Sequence, residues 1–229
     1  MTDASPAPQK ISSERIARFW PVVSGAAAFV LVGALAALIV FREHNKPFGF
    51  ELGWMGRLID YRSEIWTGVA LLFNALGGGV IGIVIVPIGV ALALMWLRRR
   101  WAALYFVAAS VAGAVVVQLL KELIGRPRPL DILVTADFGS FPSGHSANAA
   151  VIATTVSIVF ARWWFWAAGS VYSVAMMLSR TYLGAHWISD TIGGVLIGVG
   201  VAVIVWAPFA ARLQRENHLL PRAPKAVTT

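Results

Sequence analysis

Long apolar runs separated by short polar segments dominate the chain. A helix needs about 20 mainly apolar residues to cross the roughly 30 Å hydrocarbon core of a bilayer. By that measure the sequence predicts six membrane spans, the fourth of which is short unless its helix begins near Ser143. The spans are Trp20–Phe41, Gly79–Leu97, Trp101–Ile124, Ser146–Phe160, Trp163–Tyr182 and Trp187–Ala211. The expected fold is all-α, a single polytopic membrane domain over residues 1–229 built as a six-transmembrane-helix bundle.

Three segments outside these spans have patterns of their own. Between Phe50 and Trp66, apolar residues recur at helical spacing among charged ones, which predicts a helix lying in the membrane interface or a connecting helix packed on the bundle. Residues 1–13 and 219–229 are polar and are expected to be disordered. Glycines at the start of the second span are expected to allow close helix packing; these are Gly77, Gly78, Gly79, Gly82 and Gly89.

Composition supports a membrane protein. The chain is 58% hydrophobic and 13% charged, whereas a soluble domain carries about a quarter charged residues. Its net charge of +8 comes from basic residues in short caps such as Arg98–Arg100, which favours lipid-headgroup contacts over nucleic acid. That short basic loop predicts cytoplasmic termini, although Arg42, Lys46, Arg57 and Arg62 then fall outside. Because there is no cysteine, disulfides and thiolate chemistry are excluded.

Polar residues collect near the predicted outer ends of spans three to six. Lys121 and Arg128 flank the end of the third span, where two cations form an anion site or simply reach for the interface. Ser143 is a good N-cap for the fourth span, and Gly144 allows close approach to the N–H groups of the helix start, where phosphate binds well. The alternative there is an ordinary helix cap with a structural histidine at His145.

A third cluster contains Arg180, His186 and Asp190. Because His186 and Asp190 are four residues apart, they are expected to share one helix face. A carboxylate bonded to one ring nitrogen would leave the other free to attack, but a purely structural His–Asp pair would have the same spacing. Arg180 offers a forked donor for phosphate oxygens. Under the six-span topology all three clusters lie on the outer side, which together favours phosphoryl transfer to a histidine. A transporter is disfavoured by the lack of charges at mid-membrane positions.

This arrangement resembles the signature of the type 2 phosphatidic acid phosphatase superfamily. That signature runs Lys, six residues, Arg-Pro; then Pro-Ser-Gly-His; then Ser-Arg, five residues, His, three residues, Asp. The sequence matches it at every position between residues 121 and 190. The matching residues are Lys121, Arg128, Pro129, Pro142, Ser143, Gly144, His145, Ser179, Arg180, His186 and Asp190.

The resemblance implies a role for each of these residues. His186 would become a phosphohistidine, Asp190 would orient it, and His145 would protonate the leaving group. The phosphate oxygens would be held by Lys121, Arg128, Ser143, Gly144 and Arg180. The resemblance implies no metal and no cofactor. Soluble vanadate-dependent haloperoxidases have the same site, but the predicted spans argue against that branch.

The expected substrate is a lipid phosphate or pyrophosphate in the bilayer, with undecaprenyl pyrophosphate favoured and phosphatidylglycerophosphate or phosphatidate as alternatives. We expect a multi-pass protein of the cell membrane with an extracytoplasmic active site. A non-catalytic lipid-binding or lipid-translocating protein is the rival from another class. It is disfavoured because binding phosphate requires cations but no nucleophile. The sequence leaves the oligomeric state undecided.

Overall fold

A computed structural model describes residues 10–219. In this range the regular elements are all helical, which confirms the all-α prediction. The helices are α1 (Lys10–Ala37), α2 (Gly49–Asp60), α3 (Glu64–Gly77), α4 (Val86–Trp96), α5 (Arg100–Ile124), α6 (Gly144–Phe160), α7 (Trp163–Tyr182) and α8 (Ile188–Leu219). A π-helical turn, Leu38–Arg42, extends α1, and another, Ile81–Ile85, leads into α4.

Three stretches are long and apolar enough to cross a bilayer on their own: Trp20–Arg42, Arg100–Ile124 and Ile188–Asn217. The pair formed by Glu64–Gly77 and Ile81–Trp96 passes the same test together but is bent by 47°. Helix α6 is apolar but shorter, and it starts at Gly144, as expected if Ser143 caps it. A polytopic membrane protein is therefore confirmed, whereas the count of six spans stays a prediction.

The segment between the first two predicted spans differs from expectation. The helix predicted between Phe50 and Trp66 is broken, because α2 ends at Asp60 and α3 starts at Glu64. Ser63 is the N-cap of α3, since its Oγ accepts the N–H of Trp66 at 3.4 Å. The second half of the segment is therefore the first arm of a bent apolar pair, and the predicted span Gly79–Leu97 is only the second arm.

The predicted terminal tails overlap the described helices slightly. Helix α1 begins at Lys10, so residues 10–13 form its first turn instead of a disordered tail. Likewise Leu219 is the last residue of α8. The rest of both predicted tails, residues 1–9 and 220–229, lies outside the described residues.

Helix α8 packs closely on α6, and this contact sets the position of the site. A Cβ added at Gly194 would lie 3.1 Å from the Cβ of Ser146, and one at Gly198 would lie 2.7 Å from the Cβ of Ala150. Small residues of this kind let membrane helices approach each other. The start of α8 is therefore held beside the start of α6.

The bend between α3 and α4 also packs on α6. The Asn148 side chain donates to the carbonyls of Gly77 at 3.3 Å and Gly82 at 2.9 Å, one on each side of the bend. Of the glycines predicted to allow close packing, Gly77 and Gly78 face other helices, and Gly82 lies against its own preceding turn. A Cβ at Gly79 or Gly89 would meet nothing within 4 Å, so the packing prediction is wrong for those two.

Candidate active site

A cavity of about 740 Å³ opens where the ends of α5, α6 and α7 meet the loops that follow α5 and α7. The cavity is lined by six of the predicted site residues: Lys121, Arg128, Gly144, His145, Arg180 and His186. The two others, Ser143 and Asp190, are fully buried behind its wall. The structure thus brings all three sequence clusters together, with six residues facing a ligand space and two supporting it.

His186 lies in the short turn between α7 and α8, and its ring orientation is fixed by the backbone. The Nδ1 atom is 2.7 Å from the carbonyl oxygen of Ser140. A carbonyl accepts only, so Nδ1 carries the proton and Nε2 keeps its lone pair. That Nε2 atom is 3.2 Å from Nη1 of Arg128. The free nitrogen of His186 therefore lies next to a cation that is suited to bind phosphate.

Asp190 does not make the expected bond to the His186 ring. Its Oδ2 is 3.8 Å from Nδ1 of His186, which is too long for a hydrogen bond, and accepts instead the N–H of Trp187 at 2.8 Å. The expectation assumed that both residues lie on the same helix, but α8 begins only at Ile188. The expected direct bond from Asp190 is wrong here, and Ser140 holds the ring while Asp190 fixes the backbone directly after it.

Asp190 belongs to a buried ion network that sequence reasoning missed. Arg126 donates from Nη1 to Asp190 at 2.6 Å and from Nη2 to Glu51 at 2.8 Å, and all three side chains are completely buried. Ser189 joins the network, receiving a bond from Arg126 at 2.7 Å and donating to Glu51 at 2.6 Å. Two sequence signals were available: an arginine two residues before Arg128, and an acidic residue in the apolar start of α2.

Lys121 and Arg128 are held from behind by backbone oxygens. Both donate to the carbonyl of Gly139, at 2.9 and 2.8 Å, and Arg128 also donates to the carbonyl of Ala185 at 2.6 Å. On the cavity side they share the carboxylate of Asp137. These bonds keep two cations side by side at the cavity wall, and Asp137 is a further residue that sequence reasoning missed.

Arg180, the third cation, is oriented by a hydrogen bond to helix α3, which is distant in sequence. Its Nη1 donates to the Asn74 side chain on α3 at 2.5 Å, while its Nε has no hydrogen-bond partner among the described residues. A buried guanidinium N–H without an acceptor is unusual and costly. Arg180 is therefore oriented by α3 at the wall of the cavity that it lines.

His145 stands at the start of α6, where the helix and the α3–α4 bend meet. Ser143 caps the helix, its Oγ accepting the N–H of Ser146 at 3.4 Å. The first N–H groups of a helix have no acceptor within it and attract anions, and Gly144 places them at the cavity wall. A Cβ on Gly78 would lie 3.0 Å from Cδ2 of His145 and closer still to Nε2, so the bend confines the ring.

The surroundings of His186 keep it neutral. Burial has the largest effect, followed by the positive charges of Arg128, Arg180 and Lys121, and together they lower the pKa of His186 well below its ordinary value. Near neutral pH the imidazole is therefore unprotonated. A neutral ring with Nδ1–H pointing away from the cavity is the form of histidine that attacks phosphorus.

The sequence profile described as the PAP2 superfamily matches residues 101–213. A decaprenylphosphoryl-5-phosphoribose phosphatase of Mycobacterium tuberculosis is 35% identical over 153 residues, which cover 65% of this chain and 82% of that protein. The chain belongs to the PAP2 superfamily. It is accordingly a membrane-bound phosphoester hydrolase of the lipid phosphatase type.

Two other comparisons give a further similar sequence and a similar fold. An undecaprenyl-diphosphatase of Sulfolobus acidocaldarius is 26% identical over 184 residues, covering 76% of this chain and 84% of that protein. The crystal structure of a transmembrane PAP2-type phosphatidylglycerolphosphate phosphatase from Bacillus subtilis superposes with a TM-score of 0.71 at 24% identity. That match covers 82% of this chain and 96% of the other, and it shows a common fold.

The PAP2 profile does not reach the whole site. The three signature clusters fall inside residues 101–213, but Glu51, Asn74 and Gly78 come from helices α2 and α3 and the bend after them. These three residues contact Arg126, Arg180 and His145. The part of the chain before the profile match therefore supports the site directly.

Among the described residues there is no group of three or more His, Asp or Glu side chains placed to hold a metal ion. Glu51 and Asp190, which are the buried carboxylates of the site, are both already bound to Arg126. Hydrolysis without a metal stays a prediction that a chelator experiment tests.

Proposed function

We propose that this PAP2 protein hydrolyses a lipid phosphate or pyrophosphate through a phosphohistidine formed on His186. The main support is the arrangement of this one side chain. Its Nδ1 donates to Ser140, and its Nε2 faces a cavity that also contains Lys121, Arg128 and Arg180. A non-catalytic lipid-binding protein requires the cations but has no need of a neutral, oriented imidazole.

The reaction has two in-line displacements. In the first, Nε2 of His186 attacks the terminal phosphorus, and the bond from that phosphorus to the leaving oxygen breaks. The leaving oxygen is the lipid oxygen of a monophosphate or the bridging oxygen of a lipid pyrophosphate, and His145, which enters this step protonated, gives it a proton. In the second, His145 takes a proton from water, and the resulting hydroxide displaces the His186 nitrogen from phosphorus. Inorganic phosphate leaves, and both histidines return to their first states. Acid–base work of this kind contributes about 10²–10⁴ in rate.

The cations and the start of α6 stabilise the charge that develops on the phosphoryl oxygens. Lys121, Arg128 and Arg180 reach the cavity as donors whose positions are already fixed by backbone oxygens or by Asn74. Donors that need no rearrangement contribute strongly to catalysis in a site with little water. Gly144 adds backbone N–H groups on the side of His145.

The shape of the cavity favours a substrate with a long apolar chain. Away from the cations the cavity continues along α4 and α5, where its walls are aliphatic: Ile83, Val84, Ile88, Leu92, Val107 and Val111. Two of the relatives are named for polyprenyl lipids, an undecaprenyl diphosphate and a decaprenylphosphoryl sugar. A polyprenyl substrate fits both observations, and undecaprenyl pyrophosphate remains the favoured one.

We also propose that the site faces the extracytoplasmic side of the cell membrane. The short connection between α4 and α5 contains Arg98, Arg99 and Arg100, and short basic loops stay in the cytoplasm. The cavity lies at the opposite end of α5, next to Lys121. Cysteine introduced at Leu130 should react with a membrane-impermeant thiol reagent in intact cells, whereas labelling only after lysis would reverse this orientation.

The decisive experiment is to trap the intermediate. Purified protein in detergent is mixed with substrate labelled in the phosphoryl group and quenched in base, since phosphohistidine is stable to base and labile to acid. We expect label on the wild type and on His44→Ala, whose histidine is exposed, but none on His186→Ala, which should also lose turnover. Turnover by His186→Ala, or label that survives acid, contradicts the mechanism.

Substrate choice needs a parallel panel. Phosphate release is compared for undecaprenyl pyrophosphate, phosphatidylglycerophosphate and phosphatidate in the same detergent. The proposal expects the highest kcat/KM for the polyprenyl lipid, and a preference for a glycerolipid would replace it. Binding of all three without phosphate release would instead support the lipid-binding alternative. EDTA in the same assay tests the expectation that no metal is needed.

A further inference from the structure

The carboxylate of Asp137 occupies the place between the two cations that a phosphoryl group needs. Its Oδ1 is 2.6 Å from Nη2 of Arg128 and 3.1 Å from Nζ of Lys121, and its Oδ2 is also 3.1 Å from Nζ. Two oxygens on a planar anion thus satisfy two cations in the way that two phosphate oxygens would. Asp137 lines the same cavity as His186 and His145.

The three side chains differ in how firmly they are held. Lys121 and Arg128 are 4% and 13% exposed, and backbone carbonyls fix them from behind, whereas the Asp137 side chain is 64% exposed. Asp137 belongs to the irregular segment between α5 and α6, which contains no helix to fix its χ angles. The cations are therefore fixed parts of the site, and the carboxylate reaches them from the open side.

Electrostatics explains why an anion is held between these two cations. Lys121, Arg128 and Arg180 face one cavity, and unopposed like charges at this distance repel each other. Partial burial raises the pKa of Asp137, but Lys121 and Arg128 outweigh it and leave that pKa below its ordinary value. The carboxylate is thus ionised across the neutral range and neutralises part of the charge.

We propose that Asp137 is an internal counterion which occupies the phosphate subsite in the resting enzyme and must be displaced by the incoming phosphoryl group. This inference rests on the proposed function, because it takes Lys121 and Arg128 as phosphate ligands. A doubly charged phosphate competes with a singly charged carboxylate for the same donors, so displacement lowers apparent affinity without blocking turnover. The same carboxylate assists release of inorganic phosphate, since it can return to the two cations.

The test compares Asp137→Asn with Asp131→Asn in detergent-purified full-length protein. Asp131 lies in the same loop and is exposed, and within residues 10–219 its hydrogen bond is made by its backbone carbonyl, which accepts from Arg62. Both variants remove one negative charge, but only the first frees the cations. An exposed ion pair is worth up to roughly fivefold in affinity. We expect inorganic phosphate to bind Asp137→Asn about fivefold more tightly by calorimetry, and Asp131→Asn to match the wild type.

Kinetics on the lipid substrate provides a second readout. Asp137→Asn should lower KM and the inhibition constant for inorganic phosphate by similar factors, while kcat stays level or falls because product leaves more slowly. Weaker phosphate binding by Asp137→Asn would show that the carboxylate aligns the cations instead, and equal binding would show that it does not compete; either result overturns the proposal. Because calorimetry with phosphate needs no turnover, a protein that hydrolyses no lipid still tests this inference separately from the proposed function.

Discussion

Replacing Arg126 by methionine should destabilise the protein more than any single change at the cavity surface. Methionine matches the length and apolar volume of the arginine stem but leaves two buried carboxylates without their shared cation. Arg126 bonds Asp190 at 2.6 Å, Ser189 at 2.7 Å and Glu51 at 2.8 Å, and the ionic groups are 0% exposed. Removing one partner of a buried pair costs about 3–5 kcal/mol.

In Arg126→Met, Asp190 should be the carboxylate that loses more of its stabilising hydrogen bonds. After the change Glu51 still accepts bonds from Phe48 and Ser189, whereas Asp190 keeps the N–H of Trp187 and a contact with the Ser140 side chain. We therefore expect the free energy of unfolding to fall by about 3–5 kcal/mol, the range for a buried pair that loses one partner. It is measured by titration with SDS in mixed micelles followed by circular dichroism. Activity should fall too, because Asp190 fixes the backbone next to His186.

The control is Arg57→Met on α2, an exposed arginine whose side chain, among the described residues, bonds its own helix at Gly53. This variant should unfold at the wild-type SDS fraction. Adding Glu51→Gln to Arg126→Met removes one of the two carboxylates that have lost their cation. The free energy of unfolding of the double variant should therefore fall by about 1–2 kcal/mol less than the sum of the two single losses. A loss below about 1 kcal/mol in Arg126→Met, or strictly additive effects, would refute the argument that the network is a coupled ionic unit.

Three further outcomes are expected. Gly78→Ala should reduce kcat by at least about tenfold because its methyl group displaces His145, a group of the acid–base type that contributes about 10²–10⁴. Gly68→Ala, in open space on α3, should leave kcat unchanged. Asn74→Leu should raise KM about threefold to tenfold, because the guanidinium of Arg180 loses its acceptor on α3. A change in thermal stability with no change in KM would contradict a positioning role for Asn74. Because the pKa of Asp137 is depressed, its carboxylate should stay ionised from about pH 5.5 to about pH 8. Over that range the phosphate affinity of Asp137→Asn divided by that of the wild type should be constant. A ratio that falls toward the acid end would mean that the carboxylate titrates there.

The residues that line the cavity could be predicted from sequence because they come in short runs at helix ends. Lys121 and Arg128 flank the end of one apolar run and His145 starts the next. Arg180 lies near the end of the run after that, and His186 directly precedes the last. Their proximity followed from topology alone, since alternate connections of a helix bundle meet on one side. The family signature then added their roles.

The supporting residues could not be predicted in the same way, because their partners are far away in sequence. Glu51 lies 75 residues before Arg126, and Asn74 lies 106 residues before Arg180. Hydrophobic periodicity tells which face of a helix is buried but not which polar groups meet there. The direct Asp190–His186 bond failed for a local reason, since it required a helix that starts two residues earlier than it does.

The bend between α3 and α4 joins the aliphatic part of the cavity to the part that contains His145. Gly77 and Gly82 are tied to Asn148 on α6, and Gly78 between them limits the ring of His145. The residues directly after the bend, including Ile83, form the aliphatic wall along which the lipid chain is proposed to lie. A lipid chain bound against that wall would therefore pack on the same backbone that confines His145, the residue proposed to protonate the leaving group. Substrates with long chains should consequently gain in kcat as well as in KM, whereas a water-soluble phosphate ester should lose both.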